Sequence, residues 1–545
     1  MKELQCDVLV IGGGAAGTRA AYEAKRAHPE LDVLLAVTGQ YETGGSTNMV
    51  ASEALGINAP LNLQEDGDTP DIYLEDTLQT GGGLGDPTLC RVLSEESADR
   101  VRELVELGVR FTQRNGHMEQ QKLSGCTKAR SLTCGGSTGR QITRCLKKAA
   151  LAQGVKLMEH ISVLGFCKDA NGRVCGAYST APDGAMLIHF RAVVLATGGA
   201  GSIFSVNVTP PTQTGDGWAM AYEAGCRFVN LEFFQVGPAV VHPGLTFIIH
   251  SHMWRFLPKL TNRYGEEFLA RYCQNGTTPE QALDLKAMSY PFSVRTDAKY
   301  VDIGMFKEIA EGRGTDDGGV YFDVTHISRE ELLAKAPITY RTLLNAGIDC
   351  AKEPLKVTMA VQNFNGGILI DENGFTGVDG LYAAGEVTGG VHGSDRPGGN
   401  NLTDTQVFGF RAGRAAAEYA ACAPAPLGIA GGSDLRLEPT ADELALIAYS
   451  EKLYYQELTV VRTRQGLERV LAFTQEHLKP GISIPLRNRL LLGQLFAMAQ
   501  LTRTESRGTH YREDHPDTLP EWQHRLLFQR GADGSPVLYS KGSEK

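Results

Sequence analysis

The sequence predicts an α/β fold built on a Rossmann-type nucleotide-binding sheet, and three separated glycine-rich turns carry that expectation. Residues 7–11 (DVLVI) form an apolar run suited to a parallel strand buried on both faces. They lead through Gly12-Gly13-Gly14-Ala15-Ala16-Gly17 into a helical stretch over residues 18–27. Residues 193–201 (VVLATGGAG) repeat the pattern of a buried strand ending in a tight turn, Ala196-Thr197-Gly198-Gly199. Residues 380–413 supply the third turn: a short apolar strand, the acid Glu386, a glycine-rich loop, and a helix with Asn400, Asn401 and Thr403 at its start. Such residues are expected to satisfy the orphan N–H groups of a helix N-terminus, whose partial positive charge favours an electron-rich ligand atom.

Taken in order, the first turn reads as a dinucleotide fingerprint. Gly12 serves the tight turn, Gly14 the approach of backbone to a pyrophosphate, and Gly17 helix–strand packing, with Ala15 and Ala16 between them. A second strand over residues 33–37 ends at Thr38 and lacks the acid that often holds a ribose there. Residues 44–52 (GGSTNMVAS) form a polar turn containing Gly45, Ser46 and Thr47. Residues 86–115 show apolar positions at helical spacing (Leu93, Val101, Leu104, Val105), which point to packing. Beyond residue 157, hydrophobic strands with an Asn171-Gly172 turn suggest a β-meander. Gly215-Asp216-Gly217 then opens another helix. Residues 240–355 carry charged helices and no glycine fingerprint, so they form a separate layer. Residues 421–439 (ACAPAPLGIAGGSDLRLEP) read as a linker, with helices beyond it.

Composition excludes several classes. At 545 residues the chain is too long for one core. A net charge of −10 argues against nucleic acid or an anionic membrane as partner. No apolar run is long enough to span a bilayer, and the N-terminus runs straight into a buried strand with no room for a signal peptide. The eleven cysteines are scattered and include no C-x-x-C pair. Disulfides, zinc and iron–sulfur ligation within this chain are therefore not expected, no metal site is assigned, and a reducing cytoplasm is the expected setting.

The third turn resembles the flavoprotein subunits of fumarate reductase and succinate dehydrogenase, and L-aspartate oxidase, through Gly385-Glu386, His392-Gly393, Arg396 and Asn400-Asn401-Leu402. The other two turns occur in the same family order. The resemblance implies an FAD-binding domain (residues 1–239 and 357–420) with an inserted α+β capping domain (240–356), a linker (421–439) and a C-terminal helical domain (440–545). It implies FAD held by Gly12, Gly14, Ala15, Ala16, Gly17, Thr38, Gly45, Ser46, Thr47, Ala196, Thr197, Gly198, Asp216, Glu386, Arg396, Asn401 and Leu402. Ser46 stands where succinate dehydrogenases bond a histidine to the flavin, so noncovalent FAD is expected.

The family's dicarboxylate machinery transfers poorly. Its first substrate histidine falls on Gly237, its second on Gln362, its Thr-Glu pair near His250-Ser251, and its cap arginine on Ile303. Arg396 survives as the substrate arginine. The catalytic candidates are therefore Arg396, His392, Gln362, His250, His252 and Arg255, with His242, Lys259 and Tyr300 as further possibilities. A lone histidine is more often a surface or satisfied core residue than a catalyst. Core packing likewise competes with a pocket role for Phe233, Phe234, Trp254, Phe256 and Phe364.

Three readings follow. The first is an FAD-dependent reductase or dehydrogenase acting on an activated carbon–carbon bond of a small molecule that is not a simple C4 dicarboxylate. The second is an adenylylsulfate-reductase-like subunit, suggested by residues 259–268 (KLTNRYGEEF). The third is a flavin electron-transfer subunit. Electrons are expected from a redox partner protein, ferredoxin-like or an iron–sulfur subunit, or from a small diffusible donor.

Overall fold

Five short parallel strands form the central sheet, in the order Leu381–Ala383, Ala192–Leu195, Val8–Ile11, Val33–Ala36 and Lys156–Met158. The computed structural model describes residues 2–49, 55–63, 67–242, 245–425 and 436–539. Every residue of Val8–Ile11, Val33–Ala36 and Ala192–Leu195 is buried. Their unbroken apolar sequences follow from that burial: the helices Ala15–Ala27 and Asn400–Cys422 pack against these strands, and the strand Val174–Ala181 contacts Ala192–Leu195.

The first helix is Ala15–Ala27 and so begins at Ala15 rather than Thr18. It starts directly behind the glycine turn because the small residues there let strand, turn and helix touch backbone to backbone. Gly12 sits at φ +115°, and a Cβ on it would collide with the Ala196 carbonyl oxygen. A Cβ on Gly17 would occupy the Gly12 carbonyl. The long helix Asn400–Cys422 packs on Ala15–Ala27 in the same manner. A Cβ on Gly409 would stand 2.8 Å from the Ala16 carbonyl oxygen, and one on Gly413 2.7 Å from Ala20 Cα.

Ser162–Lys168, Val174–Ala181 and Gly184–His189 form an antiparallel meander, and Lys2–Gln5 adds a parallel edge strand. Asn171-Gly172 lies in the first turn, with Gly172 at φ +83°. A second mixed layer carries an antiparallel sheet in the order Leu245–Ile248, Phe234–His242, Leu355–Phe364, Val320–Asp323 and Lys259–Thr261. The helices Pro279–Lys286, Lys299–Ala310, Arg329–Lys335 and Pro337–Asn345 belong to it. Its two longest strands run unbroken through positions 239–240 and 356–357, so the chain enters and leaves this layer within continuous strands.

The long helix extends to Cys422, and residues 426–435 of the expected linker lie outside the described residues. Three helices follow, Ala441–Leu458, Arg464–His477 and Ile484–Thr502. The chain then adds a hairpin, Leu527–Arg530 with Pro536–Tyr539, to the edge of Phe228–Val229. That small sheet continues into Gly367–Leu369 and Thr388–Gly389, tying the C-terminal region to the first domain. Between helices and hairpin, buried Arg503 pairs with Glu232 at 2.7 Å and Glu505 at 3.1 Å, and Arg507 pairs with Glu505 at 2.7 Å.

Gly413→Ala is expected to destabilise the chain by about 1–3 kcal/mol, because the added methyl meets the Ala20 backbone rather than a movable side chain. Glu418→Ala, on the exposed side of the same helix, should change stability by less than about 0.5 kcal/mol. Thermal melts of the two variants beside the parent protein check the difference. Equal melting temperatures would mean that the helices do not touch through this glycine.

Candidate functional site

The turns that follow Val8–Ile11, Val33–Ala36 and Ala192–Leu195 open on one cavity of ≈ 560 Å³, bounded opposite by the mixed layer. Gly12, Gly14, Ala15, Ala16, Thr38, Gly45, Ser46 and Thr47 line one end of it. Ala196, Thr197, Gly198, Asp216, Glu386, Asn401 and Leu402 line the middle. Gly17 does not reach the cavity, and its part is the backbone contact already described. Ser46 opens the short helix Ser46–Met49, while residues 50–52 of the expected polar turn lie outside the described residues.

Two helix N-termini point at this space. Ala15–Ala27 has Gly14 as its N-cap and no side-chain cap, and Ala15 N donates to Thr47 Oγ1 at 3.3 Å. A Cβ on Gly14 would meet only Thr47 Oγ1, at 3.6 Å, so a phosphate-sized group can approach the backbone there. Asn400–Cys422 is capped by Gly399 at φ +89°, again with no side-chain cap. This corrects the expectation that Asn400, Asn401 and Thr403 satisfy the helix N–H groups, because their side chains are committed elsewhere. Asn400 Oδ1 accepts from Asn58 Nδ2 at 2.7 Å and Tyr73 OH at 2.8 Å, and Asn401 Nδ2 donates to Asn363 Oδ1 at 2.7 Å. Thr403 Oγ1 donates to the Asn58 carbonyl at 3.0 Å. Asn400 N donates to the Pro397 carbonyl at 3.3 Å, and no side chain caps the N–H groups that follow it, which are left to a ligand.

Among the described residues, Ser46 Oγ, Thr197 Oγ1 and Gln213 Oε1 are buried without a hydrogen-bond partner. Orphaned polar atoms around uncapped helix ends suit a long, polyhydroxylated dinucleotide. Asp216 accepts from Asn488 Nδ2 at 2.7 Å and also bonds Thr214 Oγ1. Glu386 accepts from Phe364 N at 3.2 Å and Gln213 Nε2 at 3.4 Å, and burial pushes its carboxyl up to about 7.

The far end of the cavity holds Arg396, His392, Gln362 and His250, joined by Tyr290, Gln235 and Asn363. Burial pulls the Arg396 guanidinium down to about 10, which leaves it a cation at neutral pH, and its Nε lacks a partner among the described residues. Asp395 bonds the Arg396 backbone N–H at 2.9 Å. Its carboxylate otherwise takes Gln235 Nε2 at 3.0 Å and Arg295 Nη2 at 2.8 Å. Tyr290 OH donates to Gln362 Oε1 at 2.7 Å. The His250 ring lies 5.0 Å from the Tyr290 ring, and burial together with nearby His252 drops its imidazole to about 3. His392 Nε2 is 3.7 Å from Asp404 Oδ2, beyond hydrogen-bond length, and neither ring nitrogen has a partner among the described residues.

Two candidates fall outside the cavity. His252 bonds Thr339 Oγ1 at 2.9 Å, and Arg255 is exposed. His252 lies within the short helix Ser251–Trp254 and Arg255 is its C-cap; the His252 ring stacks at 6.3 Å from that of His250 but does not line the cavity. Ile303 lies mid-helix in Lys299–Ala310 and does not line the cavity. An arginine that does reach the Arg396 loop is Arg295, which pairs with Asp395 at 2.8 Å. Lys259 pairs with Glu267 at 2.9 Å, and Tyr300 accepts from Asn275. Of the five aromatic candidates only Phe364 lines the cavity; Phe233, Phe234, Trp254 and Phe256 are core residues. Tyr290 escaped the sequence reading, its one signal being a Tyr-Pro dipeptide between helical stretches. Among the described residues, no group of three or more His, Cys, Asp or Glu is placed to hold a metal ion, and no helix is long and apolar enough to cross a membrane.

Residues 7–402 match the family model described as FAD binding domain, and residues 482–541 the one described as fumarate reductase flavoprotein C-term. A fumarate reductase (CoM/CoB) subunit of Methanothermobacter marburgensis is 32% identical over 564 residues, covering 96% of this chain and 97% of that protein. The L-aspartate oxidase of Streptomyces coelicolor is 30% identical over 569 residues, covering 98% and 93%. Among solved structures, Mycobacterium smegmatis Sdh1 in complex with UQ1 is 28% identical, with a TM-score of 0.86 over 99% of this chain and 94% of that one.

A hydroxyl of bound FAD that donates to Glu386 favours the ionised carboxylate. The free protein holds the group protonated below about 7, above its ordinary 4.5. Binding should therefore release a proton, and affinity should weaken as pH falls from about 8 to about 6. In the protein without ligand the sign is opposite: the raised value contributes stability below 4.5 that is lost as pH rises through about 7. Flavin fluorescence titrations across this window, with Glu386→Gln beside the parent, check the claim. A flat parent profile, or a variant with the parent's slope, would remove Glu386 from the cofactor contacts.

Proposed function

The chain belongs to the flavoprotein family that includes L-aspartate oxidase and the flavoprotein of fumarate reductase, and from that premise we propose that it transfers a hydride to or from an activated carbon–carbon bond of a small molecule other than a simple C4 dicarboxylate. It is an FAD-dependent oxidoreductase. Bound FAD supplies the hydride-exchanging centre, and the residues lining the glycine-rich end, with Glu386, Asn401 and Leu402, would hold it. The lining residues of this chain then have three tasks: to grip the substrate, to exclude water and to keep protons where they are needed.

The observation that carries this reading is the charge of the far end. Among the described residues lining the cavity, Arg396 is the only lysine or arginine. Arg295 is already held by Asp395, and buried Lys286 by Asp302 at 2.6 Å. One carboxylate can fork onto Arg396. A second would be taken out of water with no cation to receive it, which costs several kcal/mol. Tyr290 keeps its proton, since burial raises its phenol well above its ordinary range, and His250 stays neutral.

The adenylylsulfate-like stretch gains nothing from its position. Lys259–Thr261 is an edge strand, and Asn262 folds the following turn by accepting from Tyr264 N at 3.0 Å and Glu266 N at 3.1 Å. Electrons are proposed to come from a separate redox protein, ferredoxin-like or an iron–sulfur subunit. The similarity to a protein named as one subunit of a fumarate reductase supports that arrangement.

FAD is proposed to be noncovalent, because Ser46 offers a hydroxyl and no imidazole for a bond to the ring. Acid precipitation should release all the yellow colour into the supernatant, and colour left in the pellet would reverse this. Arg396→Lys keeps the charge but not the planar fork, so kcat/KM should fall roughly 10²-fold with FAD content unchanged. Near-normal turnover in that variant, or loss of the flavin, would show that Arg396 serves the loop or the cofactor instead of the substrate.

A further inference from the structure

We propose that the Tyr290–Gln362 pair, seated in the space that Gly237 leaves, selects a substrate with one carboxylate on Arg396 and an uncharged hydrogen-bonding group at its other end, of the class of half-amides and half-esters of unsaturated dicarboxylic acids. The proposal rests on the preceding reading that the site works on an activated carbon–carbon bond.

Gly237 lies on Phe234–His242 and faces Ala360 of Leu355–Phe364 in the sheet register. A Cβ at 237 would stand 2.6 Å from Tyr290 OH and 2.9 Å from its Cζ. A side chain at 237 and the phenol at 290 therefore exclude each other, and this chain has the phenol. The phenol donates its proton to Gln362 Oε1 at 2.7 Å, which fixes the amide so that Nε2 is the end left to donate. Gln362 Nε2 has no hydrogen-bond partner among the described residues.

His250 closes the same wall. Its ring tilts against that of Tyr290, and its Nε2 is buried with no partner among the described residues. A neutral imidazole nitrogen exchanges one hydrogen bond and carries no charge. Lys286 Nζ lies 5.7 Å from the centre of the Tyr290 ring, but Asp302 cancels its charge. The wall that Gln362, Tyr290 and His250 form beside Arg396 is thus polar and uncharged. An amide or ester carbonyl accepts from Gln362 Nε2 without burying a charge, whereas a carboxylate of the same shape is an ion without a partner.

Fumarate, its monoamide and crotonate have similar shapes and differ at one end, as carboxylate, amide and methyl. Calorimetric binding of the three to the oxidised FAD-loaded protein needs no turnover. The monoamide is expected to bind at least about tenfold more tightly than fumarate. Tyr290→Phe frees the Gln362 amide to rotate and should erase most of that margin. If Tyr290→Phe loses its flavin, Gln362→Met makes the same comparison. Fumarate binding as tightly as the monoamide, or a margin unchanged in the variant, would overturn the proposal. Crotonate binding and reoxidising the reduced protein while the monoamide does neither would also overturn it, yet leave the carbon–carbon reading standing. Failure of all three to bind would bring down that reading as well.

Discussion

The far end of the cavity depends on one buried carboxylate, Asp395. It receives Gln235 from the strand Phe234–His242, Arg295 from the segment before the helix Lys299–Ala310, and the backbone N–H of Arg396 from its own loop. Three stretches far apart in sequence are thereby pinned to one point, which joins the mixed layer to the glycine-rich loop ahead of Asn400–Cys422. The loop is equally constrained from behind. Ser394 N donates to the Gly81 carbonyl at 2.9 Å, and the Ser394 carbonyl accepts from Thr509 N at 3.0 Å. A Cβ on Gly393 would sit 2.8 Å from Gly85 N. Because Asp395 is committed to these neighbours, the Arg396 guanidinium is positioned without being neutralised. A cation held in this way needs little reorganisation when a ligand arrives.

The two ends of the cavity solve different electrostatic problems. At the glycine-rich end the positive potential comes from backbone, through two helix N-termini that lack side-chain caps. Backbone dipoles cannot be exchanged by single substitutions, so this end is robust. Glu386 stands between the ends, and its raised carboxyl shows how far the middle is shielded from water. At the far end the potential comes from side chains, one arginine among neutral donors, and each of these is replaceable without disturbing the sheet.

That division explains what was legible in the sequence. The three turns were readable because each glycine answers to a collision: Gly12 with Ala196, Gly17 with Gly12, and Gly385 with Ala16 Cβ at 2.7 Å. The parallel strands were readable from unbroken apolar runs, and the meander from Asn171-Gly172. The cap was not readable in the same detail. Its site positions depend on the pairing of Phe234–His242 with Leu355–Phe364, which shifts register between Gln235 and Val236. Counting back from Glu308-Ile309 leads to Ile303, which lies in the helix Lys299–Ala310 and off the cavity, whereas Arg295, ahead of that helix, pairs with Asp395 of the loop. The cluster of three histidines and an arginine over residues 242–255 was visible as composition, but of His250, His252 and Arg255 only His250 lines the cavity, His252 lying behind it and bonded to Thr339. The terminal hairpin gave no signal, because short strands that complete another segment's sheet carry little periodicity of their own.

Gly237 and Tyr290 illustrate how such a site changes without loss of the fold. A side chain added at 237 beside Tyr290 would overlap the phenol oxygen. A small residue at 290 beside Gly237 would leave Gln362 without its donor and open a void against His250, at the usual cost of a buried cavity. Each residue is acceptable only in the company of the other, so the two form one unit of specificity although 53 positions separate them in the numbering. Neither contributes to the central sheet, the glycine turns or the helix ends. The chemistry of the cofactor end can therefore stay fixed while the neighbouring wall passes from charged to neutral, which is how a shared fold comes to serve different substrates.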